Sequence, residues 1–566
     1  MPKGYFTFFL HSHMPYVRRA GQHPHGEDML HQTATETYIP LLNVLYDLRA
    51  EGVPFRLTIG ITPVLAEQLA DGEVRTRLET FLMEALERAE EDARRREAAA
   101  EGTVADAPAH HFLYLARFYA DWYRNLLQSF RERFRRDLIG AFRFLQDENL
   151  IEITTSAATH SYLPLMARDS TIYAQLRTGV TSYLRHFGRL PRGIWLPECG
   201  YRPASKAEPD GEIVKPGLEA FLAELNLRYT FGDAHVVLQG RPLASATGDL
   251  AGALPGHGED APSAYRHASA APFTPHPYYL RASNVAVYAV NHATGRQVWP
   301  PAEGYPGDFA YREFHRRDEH SGLPYWRITG DGAALGEKEL YDPYHAFHRA
   351  REHAAHFVGV VRGQLIYGKG SGRPGIVVAA YNTGLFGHWW FEGIPWIREV
   401  MRLLSRDPDI ALVTAGEYLD KHPPTESVVL PAGSWGKDGD HSTWSGPDTK
   451  RMWPLIHEAE RRMEALVARF PDAVGERLEL LKQAARELLL LESSDWPFLI
   501  GTAQAASYAS DRFRQHLERF NRLAALVEKE NLAVEERAFL QECQHLDNPF
   551  LNVDYRVFAE REGRAG

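Results

Sequence analysis

The segment GIVVAAYNTGLFGHWWFEG, residues 375–393, opens with small and β-branched apolar residues and closes on a polar, aromatic turn. Its first six residues show no alternation of polar and apolar positions. That is the pattern of a strand covered on both faces, as in a parallel sheet. Comparable runs occur at 5–11 (YFTFFLH), 55–60 (FRLTIG), 150–155 (LIEITT), 193–197 (GIWLP), 227–232 (LRYTFG), 285–290 (VAVYAV) and 410–415 (IALVTA). Helical patterns lie between many of them, among others at 171–187, 216–226 and 394–404. This alternation over residues 1–425 predicts an α/β fold built on a parallel sheet or barrel.

Two stretches interrupt the alternation. Residues 73–147, including LERAEEDARRREAAAEG, read as a helical insertion with a solvated charged face. Residues 240–283 are rich in Gly, Ala, Ser, Pro and His and read as a long mobile loop, of the kind that serves as a lid or binding loop or is otherwise disordered. A lid there would shield an intermediate from water. Beyond about 450 the pattern turns almost wholly helical, and residues 426–566 are expected to form a separate C-terminal helical domain.

The 566 residues are 44% hydrophobic and carry a formal charge of −11 with no basic stripe. Nucleic acid and anionic membranes are therefore poor partners, and a neutral ligand suits the chain better. No apolar run approaches the roughly 20 residues of a membrane helix. The two cysteines, Cys199 and Cys543, lack metal-type spacing and read as free thiols of a reducing compartment, so a cytoplasmic protein is expected. Aromatic residues make up 11%, with 11 Trp and 26 Tyr, a composition suited to stacking on sugar faces. No cofactor is implied, and composition leaves the oligomeric state open.

Functional groups of an α/β barrel collect at the C-terminal ends of its strands. The first strand ends in LHSHMPY, and alternation sends His11 and His13 to the same side. The strand at 150–155 leads to His160, the one at 193–197 carries Trp195 and Glu198, and the next leads to Asp233 and His235. The segment quoted first ends in Asn382, His388, Trp389 and Trp390. Taken singly, each has a plain structural alternative. His11 and His13 fit a core as satisfied histidines, Glu198 fits an ion pair with Arg202, and one of Trp389 and Trp390 fits the core. The convergence of these groups on strand ends favours a site.

At WLPECGYRP (195–203) and LFGHWWFEG (385–393) the sequence resembles glycoside hydrolase family 57, and within it the 1,4-α-glucan branching enzymes. The likeness runs through LHSHMPYVR, GITPVLAEQLAD, ATHSYLPL, YTFGDAH, GYPGDFAYREFHRRD, GSWGKDGDHSTW, LLLLESSDWPF and DNPF, and so covers nearly the whole chain. It implies a distorted (β/α)7 parallel barrel, with a helical insertion and an all-helical C-terminal domain that contributes tryptophans to a glucan cleft. It also implies a retaining double displacement on α-glucan such as amylose or glycogen, with no metal. The family's nucleophile falls on Glu198. His11, His13, His160 and His235 match positions lining the sugar site, and Trp299, Trp435 and Trp444 match aromatic positions that hold glucan chains.

The same likeness marks departures. The acid/base Asp of the family, and the Glu two residues on, correspond here to Asn382 and Gly384. A site arginine corresponds to Val290, and an aromatic near the N-terminal loop to His23. An amide has no ionisable proton to give a leaving group, although it can hydrogen-bond a sugar oxygen. Loss of one of two facing carboxylates also removes a repulsion that raises the nucleophile's pKa. Asp308, Glu303 and Glu392 are the nearby candidates for a substitute acid. Three readings follow: a branching enzyme using Glu198, a catalytically impaired glucan-binding homologue, and a metal-dependent deacetylase-like barrel in which His11, His13 or His160 hold a cation.

Overall fold

The computed structural model describes residues 2–22, 25–100, 107–206, 213–243, 274–281, 283–300, 303–367 and 373–561. In chain order its strands are β1 (Gly4–Ser12), β2 (Leu57–Ile61), β3 (Ile151–Thr154), β4 (Ser205–Lys206), β5 (Ile213–Lys215) and β6 (Tyr229–Gly232). These are followed by β7 (Arg241–Leu243), β8 (Tyr278–Leu280), β9 (Ala286–Ala289), β10 (Gly375–Asn382), β11 (Ile410–Leu412) and β12 (Ser427–Val429).

β1 is the central stave. It pairs in parallel with β10 along its length, from Gly4↔Gly375 to His11↔Asn382. Its other edge is shared by β11 and β2, and β2 pairs with β3. The ring continues through residues 193–195, which bridge Thr155 on one side and Tyr229 on the other, and then through β6 and β9. The Asn291 amide donates to the Val378 carbonyl at 2.8 Å and so brings the end of β9 onto β10. The staves are β1, β2, β3, 193–195, β6, β9 and β10, a distorted (β/α)7 barrel as expected.

Alternation along β1 explains its composition. Phe6, Phe8 and Leu10 point outward into the helices, where Phe8 stacks on Phe357 with ring centroids 6.0 Å apart. Tyr5 and Phe9 point into the barrel with Trp195, Phe231, Tyr288, Ile376, Val378 and Ala380. Both faces are buried, and each such side chain contributes about 1.5–3 kcal/mol. The inward set continues to His11 on β1 and Asn382 on β10, so the pattern that builds the core also aims the functional groups.

Residues 193–197 form no continuous ladder, contrary to expectation. Pro191 and Pro197 bracket the segment and remove backbone donors, which leaves room for single bridges only. Gly193 is required there because a Cβ would lie 2.2 Å from the Tyr229 ring. The stretch 240–283 is not all loop either. Its ends form β7 and β8, which pair with β12 beside the barrel, while 244–273 lie outside the described residues. In the insertion, helices Gly72–Ala100 and Ala107–Gln128 pack on each other, and Leu138–Asp147 then returns to the barrel wall. β12 carries the sheet to residue 429, and the wholly helical part begins at Trp453, with helices Trp453–Arg469, Gly475–Leu491, Ala506–Val527 and Val534–Leu546. Their core joins Leu163, Leu196 and Trp444 of the barrel side. Among the described residues no helix is long and apolar enough to cross a membrane, and Cys199 and Cys543 are buried free thiols.

Candidate active site

Glu198 occupies a 3-10 turn after the 193–195 stave with φ 61° and ψ 22°, a left-handed conformation that costs a non-glycine residue free energy. Cys199 and His160 also have positive φ. The strain is held in place from several directions. The Trp435 amide donates to the Glu198 carbonyl at 3.0 Å, the Trp435 indole Nε1 donates to Oε2 at 2.6 Å, and the Ser494 hydroxyl donates to Oε1 at 3.1 Å. The carboxylate is thus fixed in one orientation by two donors 59 residues apart in sequence.

Three histidines converge beside it. The Nε2 atoms of His11 and His160 are 3.1 Å apart, His13 stacks on His160 at 3.9 Å, and His160 Nδ1 lies 3.0 Å from the Ser494 hydroxyl and 3.7 Å from Glu198 Oε1. His11 also stacks on Trp195 at 5.2 Å. Burial, reinforced by the neighbouring rings, holds His11 and His160 well below the usual histidine range. Both are therefore neutral at pH 7; because Ser494 donates to Glu198, His160 Nδ1 donates to Ser494 and His160 Nε2 accepts from His11 Nε2.

Burial pushes the Glu198 carboxyl up to about 7. The Trp435 and Ser494 hydrogen bonds and His13 oppose the rise, while Asp495 adds to it. The lowering expected from losing a carboxylate at 382 is thus outweighed by desolvation, and Asp495 brings a negative neighbour of its own. Trp435→Phe removes the strongest stabiliser of the charged form. It is expected to move the ascending limb of the Glu198-dependent pH profile above 7 by about 1–2 on the pH scale. An unmoved limb would detach that hydrogen bond from the titration.

The residue expected at the acid/base position is carried by β10. Asn382 ends β10 opposite His11, is exposed, and is followed by Thr383, whose hydroxyl lies 2.8 Å from that of Ser12. The side chains weighed as substitutes lie elsewhere. Glu392 is fully buried and bound by the Tyr341 hydroxyl and the Arg312 amide. Asp308 is paired with Arg349; burial raises its carboxyl, but the Ala310 amide and Arg349 outweigh this and hold it below the usual range. Glu303 is exposed on the loop before Tyr305. Arg202 faces Asp169 at 3.9 Å, and the described residues give it no ion pair with Glu198.

The remaining expected residues divide by exposure. Trp299 is 39% exposed, lies across Trp435 at 6.2 Å and leads to Trp195 through the Trp195–Trp435 contact at 5.0 Å, an aromatic wall over Glu198. Asp233 caps the helix Ala234–Leu238 and accepts from His235 Nδ1 at 2.7 Å, so the pair stands at the rim beside Gly439. His388 pairs with Glu36, and Trp389 is 56% exposed on Phe314 with ring centroids 4.4 Å apart. Trp390 is buried. Val290 packs against the barrel interior, and His23 lies outside the described residues.

Trp444 corrects an expectation. It is fully buried and stacks on Tyr162 at 4.2 Å, within the core shared with the C-terminal helices, so it lines no cleft. Trp444→Ala is expected to cost about 3–5 kcal/mol of stability, read as a lower Tm. A glucan-affinity loss at unchanged Tm would contradict the packing role.

Asp495 and Ser494 carry no predicted role, yet they complete the site. Asp495 accepts from His13 Nε2 at 3.1 Å and from the Ser493 hydroxyl at 2.6 Å, and the Ser494 amide donates to the His160 carbonyl at 3.1 Å. The available signal is the polar triplet Ser493–Asp495 closing the apolar run LLLLE.

These groups lie together at the C-terminal mouth of the barrel, where the indole faces of Trp299 and Trp435 suit stacking on sugar rings. Comparison with known proteins makes the class specific. The profile described as "Glycosyl hydrolase family 57" matches residues 7–431, and "1,4-alpha-glucan branching enzyme, C-terminal" matches 455–558. The chain belongs to glycosyl hydrolase family 57 and is an enzyme of the glycoside hydrolase/transferase type with a branching-enzyme-like function. It is 43% identical over 97% of its length, and 78% of the relative's, to the 1,4-alpha-glucan branching enzyme TK1436 of Thermococcus kodakarensis. It is 32% identical to a probable 1,4-alpha-glucan branching enzyme of Mycobacterium tuberculosis, with 91% and 90% of the two chains covered. The crystal structure of a branching enzyme of this family from Pyrococcus horikoshii superposes with TM-score 0.85 at 40% identity, covering 99% and 97% of the two chains.

Proposed function

We propose that this protein binds α-1,4-glucan across the Trp299–Trp435 wall and transfers its chains through an ester on Glu198, turning over natural linkages slowly. The observation that carries the reading is the Glu198 carboxylate, strained and fixed by Trp435 and Ser494 beside neutral His11 and His160. In the first step a carboxylate oxygen bonds to C1 of the donor sugar as the C1–O glycosidic bond breaks. The departing oxygen takes its proton from solvent water, to which the attacking hydroxyl of the second step returns one. In the second step a sugar hydroxyl attacks C1, loses its proton and releases Glu198.

Asn382 stands where an acid would supply that proton, and an amide can only hydrogen-bond the departing oxygen. Binding, orientation and the nucleophile are thus kept while acid–base assistance is missing. The test incubates the protein with amylose and follows new α-1,6 ends. Slow formation that vanishes in Glu198→Gln supports the reading. Rapid branching by the unchanged protein would sink the claim of slow turnover, and branching that persists in Glu198→Gln would sink the nucleophile.

A further inference from the structure

A polar groove of about 440 Å³ lies between the N-terminal segment, the helical insertion and the 317–323 loop, within the size range of small-molecule sites. Gln32, Glu36, Phe81, Arg88, Tyr123 and Arg317 are among its walls. Residues Ala34–Tyr38 form a π-helical turn, an irregularity frequent at functional sites, and it places Glu36 in the wall. Among the described residues no side-chain hydrogen bond occupies the Gln32 amide.

The chemistry of the walls selects the occupant. An anion would meet Glu36 and Glu84, and a cation would meet Arg88 and Arg317. A neutral polyol can use carboxylate, amide and guanidinium together and lay its faces on the Phe81 and Tyr123 rings. The groove is linked to the strand-end segment 382–390 through the 34–38 turn. Gly387, with φ 95°, packs so tightly on the 34–38 turn that a Cβ would lie 1.9 Å from the Glu36 carbonyl oxygen. The Glu36 carboxylate bonds His388, next to the exposed Trp389–Phe314 platform.

We propose that this groove is a second glucan-binding stretch, which holds the part of a long chain that has passed the Trp389–Phe314 platform. The proposal rests on α-glucan being the ligand. The test is calorimetric binding of maltotriose and maltoheptaose to the full chain and to Gln32→Ala, Gln32→Trp and Arg317→Ala, each checked for an unchanged Tm. Gln32→Trp fills the groove, whereas Arg317 is exposed and tolerates truncation. The expected result is a Kd for maltoheptaose raised about tenfold with that for maltotriose unchanged. Maltoheptaose affinity unchanged in all three variants, with the unaltered protein binding both sugars, overturns the groove and leaves the glucan reading standing. Failure of the unaltered protein to bind either sugar overturns the glucan reading itself.

Discussion

Asn382→Asp is expected to raise the rate on amylose about 10²- to 10⁴-fold, the usual contribution of a positioned general acid–base. The substitution is nearly isosteric and sits at an exposed strand end, so neither packing nor the β1–β10 ladder changes. The new carboxyl would share the inner face with His11 and stand in the same mouth as Glu198. Mutual repulsion between the two would raise the Glu198 carboxyl further above 7, and the new acid would itself be pushed up and kept protonated. The variant's pH profile should therefore be bell-shaped, whereas the unaltered protein should show only the ascending limb of Glu198. A gain at every pH without a descending limb would mean that the new group orients substrate rather than supplying a proton.

Glu198→Gln is expected to lower the rate by 10⁴-fold or more, roughly the scale of loss when a covalent nucleophile is removed. The amide would still accept from Trp435 Nε1 through its oxygen, so the clamp and the strained turn remain. Glucan binding should persist, since the Trp299–Trp435 wall and the histidines are untouched. A variant that folds, binds maltoheptaose and forms no product separates chemistry from recognition. Product formation near the original rate would assign the nucleophile elsewhere.

Particular residues show how much of this was written in the sequence. The two-sided apolar runs at 5–11 and 375–380 announce buried parallel strands, and the gathering of functional groups at strand ends points on to His11 and Asn382. Residues 193–197 were legible as a stave but not as an interrupted one, because bridging depends on where Thr155 and Tyr229 stand. Asp495 could not be placed, because it reaches His13 across 482 positions. Trp444 misled for a related reason: residue type does not tell whether an indole faces a cleft or, as here, the ring of Tyr162. The rise in the Glu198 carboxyl was likewise out of reach, since it comes from desolvation by residues distant in sequence.

The proposed glucan site keeps its nucleophile, Glu198, and lacks its acid. This is tested most directly by comparing α-maltosyl fluoride, whose leaving group needs little protonation, with amylose in the unaltered protein and Asn382→Asp. An ester on Glu198, seen by intact mass, is expected to form from the fluoride at similar rates in both proteins once the pH ionises Glu198 in each, with amylose turnover at the variant's optimum separated by about 10² or more. Equal amylose turnover in the two, or no adduct on Glu198 from the fluoride, would contradict it.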